Sequence, residues 1–237
     1  MKIEVWSDYA CPFCYIGKRR LEEALTQFEH KAEVEVIYKS YELDPDAPVE
    51  INQSIYEILA GKYGITVDRA KQMSEGVIEQ AKTVGLKFNF DKLLPTNTFS
   101  AHRLAKYAEE KGKDKELVEL LLDAYFVQGK HIGNETVLVE LAESVGLDKM
   151  EVMAVLDSSS FEENVRKDEY EAKTIGVHGV PFFVINNKYA ISGAQPIEVF
   201  VNSLNKVWEE EHVSPKLTNL SSKDAGVCTD DSCVMEE

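Results

Sequence analysis

Cys11 and Cys14 stand between a strand signal and a helix signal, and that placement limits what the chain can fold into more than any other feature. Ile3 to Ser7 is a short apolar run containing Val5 and Trp6, and it reads as a strand. Pro12 follows Cys11 where a proline suits the first turn of a helix. Phe13, Gly17, Leu21, Ala24, Leu25 and Phe28 then recur at helical spacing, with Lys18, Arg19, Glu22 and Glu23 on the opposite face. Glu33 to Tyr41 alternates through Val34, Val36 and Tyr38 and reads as a second strand. The opening is therefore strand, Cys-x-x-Cys, helix, strand.

A dithiol at a helix start has chemical meaning. The thiolate is the nucleophile, and the unpaired N–H groups and dipole of a first helical turn favour an anion. Cys11 is thus expected to attack. Cys14, one turn on and more buried, is expected to resolve the mixed disulfide. The competing reading is half of a zinc site completed by Cys228 and Cys233. Three features weigh against it: the pair opens an amphipathic helix after a strand, a proline separates the cysteines, and the other pair lies more than 200 residues away.

From about Pro48 to Gly176 the patterning is helical. Ala70, Met73, Val77, Ala81 and Val84 form one apolar stripe, and Leu117, Leu120, Leu121 and Ala124 another. Asn134 and Asp148 suit helix N-caps, Ser160 with Glu163 fits a capping box, and Gly176 suits a stop. Gly85 to Pro95 reads as a loop. Strand chemistry returns at Pro181 to Ile185 and at Tyr189 to Ser192, around a turn at Asn186-Asn187-Lys188. Pro196 opens a last helix bearing Ile197, Phe200, Val201, Leu204 and Trp208, and after His212 polar residues dominate. The order βαβ, helices, ββα is most simply an α/β domain carrying a helical insertion.

The stretch Ser7-Asp8-Tyr9-Ala10-Cys11-Pro12-Phe13-Cys14-Tyr15-Ile16-Gly17 resembles the active site of the DsbA-like thioredoxin superfamily, in its cytosolic FrnE-like branch. Gly176 to Val184 is similar to the loop where that superfamily sets a cis-proline, here Pro181, facing the dithiol. Asn97-Thr98-Phe99 through His102-Arg103-Leu104, Gly193-Ala194-Gln195-Pro196 and the late Cys-x-x-x-x-Cys are similar to the same branch. The resemblance implies an α/β, thioredoxin-like fold with a large all-helical insertion. Residues 1–48 plus 177–212 would form the thioredoxin-like domain, 49–176 the inserted helical domain and 213–237 a flexible tail. It implies thiol–disulfide exchange on protein disulfides, as oxidoreductase or isomerase, through Cys11, Cys14 and Pro181. Pro12, Phe13, Val180, His178 and Asn97 would border the substrate, Cys228 and Cys233 would form a secondary redox or metal pair, and no cofactor or resident metal is expected. Two positions depart from the pattern. Pro12-Phe13 replaces the Pro-His of strongly oxidising members, which predicts a less oxidising pair. Val5 stands where many thioredoxins bury a carboxylate, which leaves Asp8 or His178 to handle protons.

Other residues and properties bound the partners. His30, His102, His131 and His212 show no metal-ligand spacing. A net charge of −16 repels phosphate backbones and anionic lipid, so nucleic acid and membrane surfaces are not expected partners; protein thiols and glutathione are. No run approaches the roughly 18 apolar residues of a membrane span. The first residues lack the order of a secretory leader, so a cytoplasmic location is expected. Two other functions remain open: a glutathione-dependent isomerase or transferase of the kappa-class and hydroxychromene-carboxylate isomerase type, and a thiol-based metal-binding stress protein.

Overall fold

The computed structural model describes residues 1–212, together with the backbone of two short strands near the carboxyl terminus. Strand β1 (Lys2–Ser7) leads through a tight turn into helix α1 (Pro12–Gln27), and β2 (Glu35–Ser40) returns parallel to β1. The second strand is shorter than its alternation predicts because Lys31–Glu33 closes a 3-10 turn ahead of it. Seven helices follow: α2 (Ile55–Tyr63), α3 (Val67–Lys82), α4 (Phe99–Glu110), α5 (Asp114–Asp123), α6 (Glu135–Ser144), α7 (Lys149–Leu156) and α8 (Glu162–Thr174). Strands β3 (Phe182–Ile185) and β4 (Tyr189–Ser192) form a hairpin, and α9 (Ile197–His212) closes the described body. Asn186 and Asn187 turn that hairpin with φ of 49° and 53°, a left-handed conformation that asparagine tolerates.

The sheet order is β2-β1-β3-β4, with β3 antiparallel to both neighbours. Alternation along β1 sends Ile3 and Val5 to one face, where they join Leu21 and Ala24 of α1, Phe28 at its C-cap, Phe183 and Ile185 of β3, and Phe200 and Leu204 of α9. Trp6 points to the other face, packs with Ala172 and Val177, and donates its indole N–H to the Asp168 carbonyl at 2.9 Å. Helix α8 therefore covers this second face, although it lies in the helical stretch of the sequence. The Asp168 carboxylate holds it there. It accepts from Ser40 N at 2.9 Å and pairs with Lys106 at 2.6 Å and Lys39 at 3.2 Å.

Helix ends follow the local chemistry at most positions. Ser54 and Glu57 form a capping box on α2, Thr66 caps α3, and Asn134 and Asp148 cap α6 and α7. Gly176, with φ of 80°, ends α8 as expected. The expected Ser160–Glu163 capping box does not form: Phe161 occupies the cap position with φ of 64°, and the Ser160 hydroxyl bonds Ser158. Arg103 overrides it. Its buried guanidinium collects the carbonyls of Val155, Ser158 and Ser160 and so dictates the α7–α8 turn.

The large core of the helical region runs through Leu104, Leu117, Leu121, Phe126, Leu138 and Val152 and reaches Tyr9, Tyr15 and Ile16 beside the dithiol. The helices thus pack directly on the turn before α1. Residues 85–95 are irregular apart from a 3-10 turn at Phe90–Lys92, and they bury Leu86, Phe88, Phe90 and Leu93 against this core. The carboxyl-terminal strands, β5 (Val227–Thr229) and β6 (Ser232–Val234), pair antiparallel with Cys228 opposite Cys233. The flexible tail expected over residues 213–237 includes these two paired strands, and the rest of it, 213–226, 230–231 and 235–237, lies outside the described residues.

A charged lock ties α1 to α5. Lys18 is 5% exposed and reaches Glu119 and Glu22, each at 2.5 Å, while Tyr15 and Arg19 also donate to Glu119. Burial pushes the Glu119 carboxyl up, but Lys18, Tyr15 and Arg19 outweigh it and hold the group below its usual range. Stability from this lock is therefore present above the ordinary glutamate range and lost as pH falls through the lower folded value. Glu119→Gln is expected to cost on the order of 2 kcal/mol at neutral pH, between an exposed and a fully buried pair. It should also flatten the acid side of the stability profile, as urea unfolding from pH 7 to pH 3 would measure.

Candidate active site

Cys11 is the N-cap residue of α1, with extended φ and ψ of −96° and 112°, and Pro12 is in the first turn. A residue in this position lies beside the unpaired N–H groups of the helix start. Cys11 and Cys14 are both free thiols, 5% and 2% exposed. The turn before them is held by the Cys11 N–H on the Asp8 carbonyl at 3.1 Å. The Cys11 thiol donates to the Val180 carbonyl at 3.5 Å, across 169 residues of sequence. The bond from Val180 to Pro181 is cis, as the resemblance implies. Tertiary structure thus brings Cys11, Cys14, Val180 and Pro181 to one place.

The two sulfurs sit in different fields. Burial, reinforced by the hydrogen bond and charge of Cys11, pushes the Cys14 thiol well above its ordinary range. The Ser7 hydroxyl and the Asp8 N–H, the latter at 3.5 Å from Sγ, act in the opposite direction but do not overcome it. Cys14 therefore stays protonated until something takes its proton.

Phe13 is 37% exposed, Pro12 and Val180 are half-buried and His178 is exposed. Asn97 is engaged elsewhere. Its amide donates to the carbonyls of Pro45 and Ala47 at 3.2 and 3.1 Å, and its oxygen accepts from Phe99 N at 2.8 Å. It pins the segment after β2 to the start of α4. Among the described residues no three His, Cys, Asp or Glu side chains converge as a metal site.

Asp8 is the residue whose importance sequence reasoning only touched. It is 1% exposed, and its carboxylate accepts from Thr98 Oγ1 and Leu43 N, both at 2.8 Å, from Ala10 N at 3.2 Å, and lies 3.3 Å from His102 Nε2. Burial pushes the carboxyl up, but the hydrogen bond from His102, together with those from Leu43 and Thr98, carries it below its usual value. The spacing of Thr98 and His102, one turn apart at a helix start, was the available signal. It could not show that both face Asp8, because that requires α4 to dock on the active-site turn.

A scan of family models matches residues 2–205 to the DSBA-like thioredoxin domain. The chain belongs to this family, whose domain spans the sheet, the helical region and the dithiol turn alike. A probable DsbA oxidoreductase from Streptomyces coelicolor is 38% identical, superposes with a TM-score of 0.86 and is matched over 100% of both chains. The cytosolic disulfide reductase DsbM from Pseudomonas aeruginosa shares the fold at 16% identity, with a TM-score of 0.63 over 89% of this chain and 100% of that one. YwbO of Bacillus subtilis, described as uncharacterized, is 29% identical over 86% of this chain and 95% of its own. Among the described residues no helix is long and apolar enough to cross a membrane.

Gly17 sets how closely α1 approaches the proline loop. A Cβ there would stand 3.0 Å from Pro181 Cγ and 3.2 Å from Phe183 Cζ. Gly17→Ala is expected to force Pro181 away from Cys11, with an overpacking cost of about 1–3 kcal/mol. Thermal unfolding should show the loss, and disulfide-exchange activity should fall by a larger factor than in an equally destabilised variant remote from the site.

Proposed function

We propose that this protein is a dithiol–disulfide oxidoreductase or isomerase acting on protein disulfides, with Cys11 attacking and Cys14 resolving. The observation that supports it best is the pairing of a helix-cap thiol, 3.5 Å from the Val180 carbonyl, with a deeper thiol held protonated. The Cys11 thiolate attacks one sulfur of a substrate disulfide. That S–S bond breaks, one substrate sulfur leaves as a thiolate and takes a proton from solvent, and the other stays bonded to Cys11. Cys14 then gives up its proton and attacks Cys11 Sγ, releasing the second substrate sulfur. Two electrons have passed to the substrate, and Cys11–Cys14 carries the disulfide. In an isomerase another substrate thiolate instead attacks the substrate sulfur bonded to Cys11, so that a new substrate disulfide forms and Cys11 leaves as the thiolate.

In this reading Pro181 fixes the Val180 backbone beside Cys11, where an extended substrate segment can lie, and Pro12, Phe13 and His178 border it. Asn97 serves through the loop it pins. Glutathione is the small thiol proposed to return the pair to its reduced form; a structure of DsbM from Pseudomonas aeruginosa is described with GSH. We assign the protein to the FrnE-like branch and to the cytoplasm, where exchange with glutathione would operate. The thioredoxin-like parts are placed at 1–48 and 177–212 and the inserted domain at 49–176. Cys228 and Cys233 are proposed as a secondary redox or metal pair, a reading supported by their facing positions in the β5–β6 register. A glutathione-dependent isomerase or transferase is the second reading. 2-Hydroxychromene-2-carboxylate isomerase shares the fold at 16% identity with a TM-score of 0.68. Cys14 disfavours it, because a second thiol would resolve any glutathione adduct formed on Cys11.

Cys11→Ser is expected to lower insulin reduction by at least ~100-fold, as loss of a nucleophile does. Cys14→Ser should instead trap a covalent mixed disulfide with the substrate, visible by mass spectrometry and released by dithiothreitol. Full turnover by Cys11→Ser would assign attack to another residue.

A further inference from the structure

Cys14 must lose a proton to react, yet it is 2% exposed and none of its recorded partners is a carboxylate. The Asp8 N–H lies 3.5 Å from its sulfur, and the hydroxyl of the preceding residue, Ser7, is the side chain besides Cys11 that acts on it among the described residues, in the direction of the thiolate. Ser7 also lines a small cavity of about 20 Å³, which Tyr9 and His102 line as well. That volume is enough for one water molecule, and the walls are polar enough to hold it.

The candidates for a base around this cavity can be taken in turn. Lys106 of α4 and Lys39 of β2 are tied to Asp168. Tyr9 and Tyr38 are held neutral, since burial first and nearby carboxylates second push both phenols up. Glu42, in the loop after β2, has a buried, unpartnered Oε1, but it does not line this cavity and its Oε2 is bound to Arg166 at 2.5 Å. Glu109 pairs with Lys106 at 3.1 Å, and Asp114 lines the α5 side of the cavity. Asp8 is saturated by its own donors.

His102 differs from all of these. It is 3% exposed, packs against Tyr9 with ring centroids 4.7 Å apart and places Nε2 on the Asp8 carboxylate. A carboxylate only accepts, so the shared proton belongs to Nε2, and in the neutral ring Nδ1 carries the lone pair. An imidazole oriented by a carboxylate in this way is arranged to take a proton and to be stabilised as it does so.

We infer that Ser7 and the Asp8–His102 couple form the proton relay of the resolving cysteine. The inference rests on the dithiol reading above. The Cys14 proton passes to Ser7 Oγ as the Ser7 hydroxyl passes its own to water in the cavity, and the water delivers one to His102 Nδ1. The Cys14 thiolate attacks Cys11 Sγ, the Cys11–substrate bond breaks, and the departing sulfur takes a proton from solvent. The imidazolium left behind is paired with the Asp8 carboxylate, and the proton returns to solvent or, in the reverse reaction, to Cys14. Ser7 touches a reacting sulfur, whereas His102 and Asp8 act through it. The couple occupies a different place from the buried carboxylate of many thioredoxins, whose position is Val5 here.

In the full chain carrying Cys228→Ser and Cys233→Ser, so that Cys11 and Cys14 are the only thiols, the aryl disulfide 5,5′-dithiobis(2-nitrobenzoate) separates the two steps in one stopped-flow trace. The first equivalent of coloured thiol reports attack by Cys11, and the second reports resolution by Cys14. Ser7→Ala and His102→Gln are each expected to leave the first phase within about twofold and to slow the second about tenfold or more at pH 7, the lower part of the range for general base catalysis and below. The deficit should shrink as pH rises, because hydroxide then removes the Cys14 proton directly. A second phase at the wild-type rate in both variants would overturn the relay. So would slowing by one constant factor at every pH, which is the signature of displaced geometry alone. Circular dichroism checks the fold, and should His102→Gln fail to fold, the same two outcomes in Ser7→Ala decide. If the parent protein, with Cys11 and Cys14 as its only thiols, releases only one equivalent, the dithiol reading itself has failed, and the relay falls with it.

Discussion

The carboxylate of Asp8 is the contact on which the site depends. It gathers Ala10 from the active-site turn, Leu43 from the loop after β2, and Thr98 and His102 from the start of α4. Three separate segments are thereby held to one buried charge. An ionised carboxylate is costly to bury unless donors surround it, so each donor that reaches Asp8 also fixes the segment that carries it. The dithiol turn is rigid because it lies at this junction, with the large helical core packed on Tyr9, Tyr15 and Ile16 behind it.

Two chemically identical thiols are given unlike tasks by position alone. Cys11 caps the helix and meets the Val180 carbonyl, while Cys14 is one turn deeper, where burial disfavours its thiolate. In the proposed exchange, a deeper thiol kept protonated does not compete for incoming substrate and becomes useful only after a mixed disulfide forms. The same burial creates the need for a proton path. Ser7, at the end of β1, meets that need because a strand alternating around Trp6 leaves its last side chain beside the sulfur.

The architecture serves more than one chemistry. Proteins described as a DsbA oxidoreductase, a disulfide reductase and an isomerase of 2-hydroxychromene-2-carboxylate share it with this chain. Fold alone therefore does not select among them. In the function proposed here the selection rests on the second cysteine, which belongs to the first turn of α1, and on the groups that handle its proton.

Much of this was legible in the residues. The strand, Cys-x-x-Cys and helix at the start, the hairpin at Asn186–Lys188 and the caps at Asn134 and Asp148 rest on contacts within a few residues, where periodicity and turn chemistry act directly. The Ser160 capping box failed for the opposite reason: Arg103, more than 50 residues away, claimed the carbonyls of that turn. His102 looked unremarkable because nothing in its spacing points to a site. By itself the sequence determined that a dithiol opens a helix after a strand, since the amphipathic period and Pro12 are local. Only tertiary structure decided which groups surround the two sulfurs. Val180 comes from 169 residues away and His102 from 94 residues beyond Asp8, and such meetings depend on how α4 and the β3 loop dock, which no local pattern encodes.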